Sequence, residues 1–312
     1  MNDKRHLPML QQLDAEISEL ESLSSLIGAE VALSTPQPEQ NKLAEQAWTL
    51  IEALAKKEHV SYSEIFTWLE CSHRHLLQYL KHINLDSASI HTEFGRVLHD
   101  ILEEYLKTRV IPEDLTASLD ELDKLLAAIN VVPDKSTFHD QIAPMLQQVP
   151  AFMEEQFPGW EFVDSEHRLY EDTTLSKWKF KGYIDCIIKV PGKDGKYTYW
   201  VIDWKTCESF WSPMKENDAK KQLQLVLYKH FWAAKSGVPL EDIQCGFVLL
   251  RRKVTRLDKT RCKLVPVTVK EKQLLDGQAI IKDMSKRVTR GFFGKNKANC
   301  RWCVYKQTEH CP

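Results

Sequence analysis

Lys179-Phe-Lys-Gly182-Tyr-Ile-Asp185-Cys-Ile-Ile-Lys-Val190, followed by Pro191-Gly-Lys-Asp-Gly195-Lys and Tyr197-Thr-Tyr-Trp-Val-Ile-Asp203-Trp-Lys205-Thr206, is the stretch that decides the fold. Two runs rich in Ile, Val, Tyr, Phe and Trp, 177–190 and 197–204, flank a short Pro/Gly-bearing connection, the pattern of a β-hairpin. In an extended strand Asp203 and Lys205, two apart, point to one face. Asp185 follows Gly182 on the neighbouring strand, so the hairpin carries two carboxylates and an ammonium. Carboxylates are hard oxygen ligands for Mg²⁺ or Mn²⁺. An ion held there would polarise a phosphate and acidify a bound water, while Lys205 orients that water or offsets developing negative charge. The same residues also suit an exposed hairpin with a surface ion pair, and the tripeptide alone does not separate the two.

Outward from the hairpin, 161–170 reads as a strand carrying Glu166, a further acidic candidate. Downstream, helical periodicity returns at 216–234, strand patterns at 243–252 and 262–268, and a helix at 269–289. Upstream of Trp160 the chain reads as helix: 61–80 with Ser61 or Ser63 as cap, then 91–109, 114–130 and 138–157. Two more helices, 8–33 and 41–57, flank the Pro-rich linker 34–40. Helices followed by a hairpin-containing sheet that one helix interrupts predict an α/β (α+β) core with an antiparallel part.

With 312 residues, 43% hydrophobic and 28% charged, the composition excludes disorder, collagen and coiled-coil arrays as whole-chain readings. No run is apolar and long enough to cross a membrane, and the first residues lack the apolar core of a secretory signal. A cytoplasmic protein is expected, in which the eight cysteines stay free or bind metal. The net charge of −2 hides an asymmetry: residues 251–312 hold 17 Lys/Arg against 5 Asp/Glu. One basic run spans Arg251 to Lys263 and another Lys282 to Arg301. A solvated face is the ordinary fate of such runs, and a phosphate-binding surface is the alternative. Phe292, Phe293 and Trp302 interleave with the second run. One of the two phenylalanines is expected to pack as core, leaving the other free to stack on an unpaired base.

Four further motifs stand in order around the hairpin. Phe94-Gly95-Arg-Val-Leu-His99 precedes it, and Gln224-Leu-Val-Leu-Tyr228 follows on a helix whose four-residue spacing puts Gln224 and Tyr228 on one face. Cys71 lies in Phe66-Thr-Trp-Leu-Glu-Cys71-Ser-His-Arg-His, and the chain ends in Cys300-Arg-Trp-Cys303 and Cys311-Pro312. Together with Gly182-Tyr-Ile-Asp185 and Ile202-Asp-Trp-Lys-Thr206, this ordered set over residues 61–312 resembles the PD-(D/E)XK nuclease superfamily in its RecB-like iron–sulfur exonuclease branch. That branch shows G-x-x-x-H, G-x-x-D, D-x-K-T and Q-x-x-x-Y, and it includes helicase–nuclease subunits and CRISPR-adaptation exonucleases. The match departs at two places: Ser72 stands where the branch has Pro, and the last cysteine spacing is longer than its commoner one.

The resemblance implies a restriction-endonuclease-like mixed sheet flanked by helices, and a metal-dependent DNA exonuclease favouring single strands in recombination, repair or phage DNA metabolism. It makes His99, Asp185 and Asp203 metal ligands together with a backbone carbonyl near Trp204, Lys205 the group acting on water, and Gln224 and Tyr228 the strand-positioning pair. It also makes Cys71, Cys300, Cys303 and Cys311 the ligands of a [4Fe–4S] cluster. Zinc and free thiols are the alternatives, though a single cysteine 229 residues before Cys300 is awkward for zinc. Cys186, Cys207, Cys245 and Cys262, in or just past strand patterns, read as buried free thiols. The parts expected are an N-terminal helical extension (1–60), a helical region with Cys71 and His99 (61–160), the nuclease core (161–290) and the iron–sulfur segment (291–312). No G-x₄-G-K-[ST] occurs, so a helicase or recombination partner would be a separate protein. A non-catalytic DNA-binding module of the same fold and a structure-specific endonuclease are the alternatives.

Overall fold

Six strands make one mixed sheet: β1 (His59–Ser61), β2 (Glu161–Glu171), β3 (Lys179–Pro191), β4 (Tyr197–Cys207), β5 (Ile243–Arg251) and β6 (Cys262–Val267). The structure is a computed structural model, which describes residue 51 and residues 53–85, 89–129, 135–174, 176–193 and 195–312. The helices expected over 8–33 and 41–57 and the linker between them lie outside the described residues, apart from the turn 53–56, which is helical. β3 and β4 form the expected antiparallel hairpin, paired from Pro191↔Tyr197 to Cys186↔Ile202. β4 runs parallel to β5, and β5 antiparallel to β6. β1 is an element the sequence does not reveal, because three residues are too few to show a period.

Helices cover both faces, as each strand's alternating apolar side chains require. They are α1 (Tyr62–Glu70), α2 (Ser72–His75), α3 (Ile90–Thr108), α4 (Thr116–Ala128), α5 (Lys135–Leu146), α6 (Val149–Gln156), α7 (Pro213–Glu216), α8 (Ala219–Ser236) and α9 (Glu271–Thr289). Val201, Phe247 and Leu249 face a core shared with α1, α8 and α9, whereas Ile202, Trp204, Val248 and Leu250 face a core shared with α3 to α6. The α/β expectation holds. Ser61 is the cap of α1, its hydroxyl accepting from Glu64 N–H at 3.3 Å. The helix expected over 61–80 is interrupted: Cys71 is extended at φ −162°, and the chain then resumes as α2 and a π-helical turn, Leu76–Leu80. A continuous apolar period cannot reveal this break, because contacts with the distant C-terminal segment impose it. The helix expected over 138–157 is likewise two, with Pro150 in the first turn of α6, where its missing N–H has no partner to lose.

The site is positioned by a fork. On one edge β3 is paired to β4 over 186–191 and to β1 over 179–181, so Gly182-Tyr-Ile-Asp185 has no strand neighbour there. The alternation also slips by one at Asp185: Phe180, Ile184 and Ile187 share one core, Cys186 and Ile188 the other. On the opposite edge, Glu166 of β2 sits at φ 47°, between the pairs Ser165↔Cys186 and His167↔Ile184. That left-handed backbone is uncommon for a glutamate and turns its carboxylate out of the regular pleat.

Candidate active site

Acidic and basic side chains from four elements converge at the fork. Where the β3–β4 ladder ends, Trp204 N–H donates to Asp185 Oδ2 at 2.9 Å instead of continuing it. His99, on α3, places Nε2 3.1 Å from Trp204 O and Nδ1 3.7 Å from Asp185 Oδ2. One ligand atom each from His99, Glu166 and Asp185 lies within 4.8 Å of the others. Asp203 is almost wholly buried, 1% exposed, on the α8 side of β4. Its Oδ1 accepts from Gln224 Nε2 at 2.6 Å. Its Oδ2 is 2.6 Å from Lys205 Nζ, an ion pair within the site.

The electrostatics show why a cation fits. Burial, then the charge of Asp203, pushes the Asp185 carboxyl well above the usual carboxylate range. Burial, then Glu103, Asp100 and Asp203, raises Glu166. Burial draws the Lys205 ammonium down, but Asp203 and Asp185 outweigh it and hold the group above its ordinary value. Neighbouring carboxylates that repel one another around a half-exposed cleft form an oxygen-rich donor set of the kind Mg²⁺ and Mn²⁺ take. His99 Nε2 and the Trp204 carbonyl oxygen lie within hydrogen-bond distance at 3.1 Å, which places that oxygen against the histidine of this group.

Two glycines explain the spacing of the motifs. A Cβ on Gly182 would stand 2.8 Å from Tyr228 Cε1, so the glycine admits the α8 tyrosine into the gap between the forked strands. There the Tyr228 hydroxyl meets Gln224 Nε2 at 3.3 Å and the Tyr183 backbone. Gln224 and Tyr228 are 8% and 6% exposed, which gives them a supporting position behind Asp203. Gly95 packs α3 against β4, with Thr206 Oγ1 3.4 Å from where its Cβ would be. Three other histidines are engaged elsewhere: His75 with Glu64 at 2.7 Å, His167 with Asp164 at 2.6 Å and His73 with His310 O at 3.2 Å.

The family model described as PD-(D/E)XK nuclease superfamily matches residues 59–311. The chain belongs to that superfamily. PD-(D/E)XK nucleases work with divalent metals, and the His99–Glu166–Asp185 group is where this member can hold one. Among solved structures, a candidate exonuclease from Eubacterium rectale is similar at 14% identity and TM-score 0.52, over 83% of this chain and 92% of that one. A second structure, SSO0001, aligns at 12% identity and TM-score 0.35, over 84% of this chain and 94% of that one. The first likeness concerns the fold alone. No curated protein matches the sequence.

In this PD-(D/E)XK protein the C-terminal segment folds back onto Cys71. Asn296 N–H donates to Cys71 Sγ at 3.4 Å, and Cys300 Sγ approaches Asn296 O at 3.6 Å. Asn299 Nδ2 donates to Glu70 O at 2.6 Å, and His310, beside Cys311, meets His73. Cys71, Cys300, Cys303 and Cys311 are all unpaired and half-buried, while Cys186, Cys207, Cys245 and Cys262 are buried. The first basic run is not a uniform solvated face. Arg251 and Arg252 are 7% and 8% exposed, and Lys253 and Lys263 pair with Glu208 and Glu216. Leu250 already faces the core, and two residues further along an alternating strand Arg252 must do the same. Of the phenylalanine pair, Phe292 is 63% exposed and Phe293 packs against the core. Among the described residues, no helix is long and apolar enough to cross a membrane.

Proposed function

We propose that this chain is a divalent-metal-dependent deoxyribonuclease of the RecB-like iron–sulfur branch, removing nucleotides from DNA ends with single strands preferred. One observation carries the reading: ligand atoms of His99, Glu166 and Asp185 gather within 4.8 Å in a strand gap that also holds Asp203 and Lys205. His99, Asp185 and Glu166 would hold the metal with the Trp204 carbonyl, and Asp203, which stands outside that group against Gln224 and Lys205, would complete the set. When bound, the ion supplies the charge that polarises the phosphate and acidifies a water. Gln224, braced by Tyr228, fixes Asp203 through its amide. Lys205 presents its ammonium beside that carboxylate, where it orients the attacking water or offsets charge on the phosphate.

Cys71, Cys300, Cys303 and Cys311 would ligate a [4Fe–4S] cluster stapling the α1–α2 break to the C-terminal segment. The Asn296 amide aimed at Cys71 Sγ supports this, because N–H···S bonds stabilise thiolates and tune such clusters. The E. rectale neighbour of the same fold is itself described as a candidate exonuclease, and end-dependent cleavage is the reading the digestion below tests. A decayed, purely DNA-binding protein is disfavoured because Asp185, Asp203 and Lys205 are all intact. The deciding experiment digests end-labelled linear and circular DNA, single- and double-stranded, with Mg²⁺ or Mn²⁺. Loss of linear single strands with circles spared is expected; cutting of circles would make the enzyme an endonuclease, and no cleavage of any substrate would remove the reading.

A further inference from the structure

Arg251 and Arg252 are equally buried but very differently satisfied. Arg251 donates from Nε to Thr260 O at 2.9 Å and pairs with Asp258 Oδ2 at 2.8 Å. Arg252 has, among the described residues, neither a side-chain hydrogen bond nor a carboxylate in ion-pair range. Its guanidinium lies over two aromatic rings instead, 4.9 Å from the centre of Phe138 and 6.0 Å from that of Phe94. The nearby acid, Glu208, is taken by Lys253. Burying a charge without a counter-ion is unfavourable, and rings satisfy its face but none of its five N–H donors. None of its nitrogens is cut off from solvent, so an anion arriving from outside can reach them.

The position says which anion. Arg252 N–H donates to Cys207 O at 2.9 Å, at the end of the parallel β4–β5 ladder, where Lys205 pairs with Leu249. Three residues separate Leu249 from Arg252, so the guanidinium's backbone stands about 10 Å beyond Lys205 along the strand direction. Phe94, under the guanidinium, is five residues from His99 on α3, about 8 Å along the helix. Both routes run from the fork to the same end of the sheet. A distance of about 10 Å is no more than about three stacked nucleotides at ~3.4 Å each.

We propose that Arg252 is a binding site for a backbone phosphate of the DNA strand, within about three nucleotides of the cut. The two rings flank the guanidinium, whose planar fork suits bidentate donation to phosphate oxygens. This rests on the nuclease reading, and the test separates the two. The probe is a fluorescent single-stranded 20-mer, bound by Asp203→Asn protein at several salt concentrations. Adding Arg252→Gln should weaken binding about tenfold and flatten the slope of log K against log [salt] by about 0.7, one phosphate contact on a single strand. Arg252→Lys, which keeps the charge and tests the fold, should retain the slope with a smaller loss of affinity. If the Gln variant does not fold, single methylphosphonate replacements scanned along the oligonucleotide replace it. One position within three nucleotides of the cut should flatten the slope and weaken binding for Asp203→Asn protein, with a smaller loss of affinity once Arg252→Lys has already given up the bidentate contact. An unchanged slope in Arg252→Gln, or no sensitive position in the scan, overturns the assignment while leaving the nuclease reading standing. Failure of the Asp203→Asn protein to bind any single strand, with no cleavage by the wild type, removes both.

Discussion

Gly182 and Tyr228 are fitted to each other: a single carbon added at 182 would meet the tyrosine ring at 2.8 Å. The contact joins a strand motif to a helix motif 46 residues away in sequence, and behind it stand Gln224 and Asp203. Gly182→Ala must therefore displace a buried ring, at a cost of about 1–3 kcal/mol. The displaced ring carries the Gln224 amide with it, so cleavage should fall by more than the stability loss explains. Denaturant unfolding and initial cleavage rates measure the two separately. Gly182→Ala with Tyr228→Leu should recover stability and remain slow. Full activity in the single variant would show that Tyr228 does not hold Asp203 in place.

Asp203→Asn, Asp185→Asn and Lys205→Met should each reduce cleavage by at least ~10²-fold, the order lost when one transition-state charge group is removed. Binding of a single-stranded oligonucleotide should persist. Metal binding reads out independently of turnover. Mg²⁺ or Mn²⁺ at ~100 times its dissociation constant should stabilise the wild type by about 2.7 kcal/mol, and Asp185→Asn or His99→Ala should lose most of this. Retention of the whole metal-dependent shift by both variants would move the ion elsewhere.

Glu166 allows its backbone and its carboxylate to be tested apart. Its φ of 47° favours glycine, so Glu166→Gly should be stabilised by up to about 1 kcal/mol or stay neutral in metal-free protein. The same variant should need more Mn²⁺ to reach the full thermal shift. Glu166→Gln, which keeps the strained backbone, should show the metal effect without the stabilisation. Wild-type metal dependence in both variants would reduce Glu166 to a bystander at the rim.

Much of this architecture is legible in local pattern. The hairpin, its D-x-K face and helix α8 follow from alternation, a Pro/Gly turn and helical spacing, each carried by adjacent residues. What escapes is whatever long-range contact decides. The break at Cys71 depends on Gly294 and Asn296, more than two hundred residues on. Glu166 looks like one acid in a strand until its backbone turns it toward His99 and Asp185. Arg252 reads as part of a solvated run because six other basic residues between Arg251 and Lys263 surround the signal that β5 alternation continues inward. The supporting place of Gln224 and Tyr228 needs the third dimension too, since spacing fixes a shared face but not its occupant.

The cysteines divide into two groups with opposite expectations. Protein purified without oxygen should be brown and lose its colour on Cys71→Ser, Cys300→Ser or Cys303→Ser. Each should also lower the unfolding midpoint, because ligand binding and folding are one equilibrium when the ligands are far apart in sequence. Cys186→Ala, Cys207→Ala, Cys245→Ala and Cys262→Ala should keep the colour, at the modest stability cost of small cavities. Iron and sulfide analysis decides between cofactors, and colourless protein with one equivalent of zinc would replace the cluster by a zinc staple.

Phe292 and Phe293 separate binding from stability at neighbouring positions. Both line a groove of about 400 Å³ with Trp68, Leu69, Ser72 and Arg287, next to the fold-back of the C-terminal segment. Phe293 packs against the core, so Phe293→Ala should destabilise by roughly 2–4 kcal/mol while leaving the salt dependence of binding alone. Phe292 is 63% exposed and has little packing to lose, so Phe292→Ala should hardly change the unfolding midpoint. Its free ring is a stacking face, and removing it should weaken single-strand binding by about 1–3 kcal/mol without moving the salt slope. Arg287, held by Asp283 at 3.0 Å, is the matched control, since its loss should act on the slope. Equal single-strand affinities for wild type and Phe292→Ala, measured in Asp203→Asn protein, would take the groove off the DNA path.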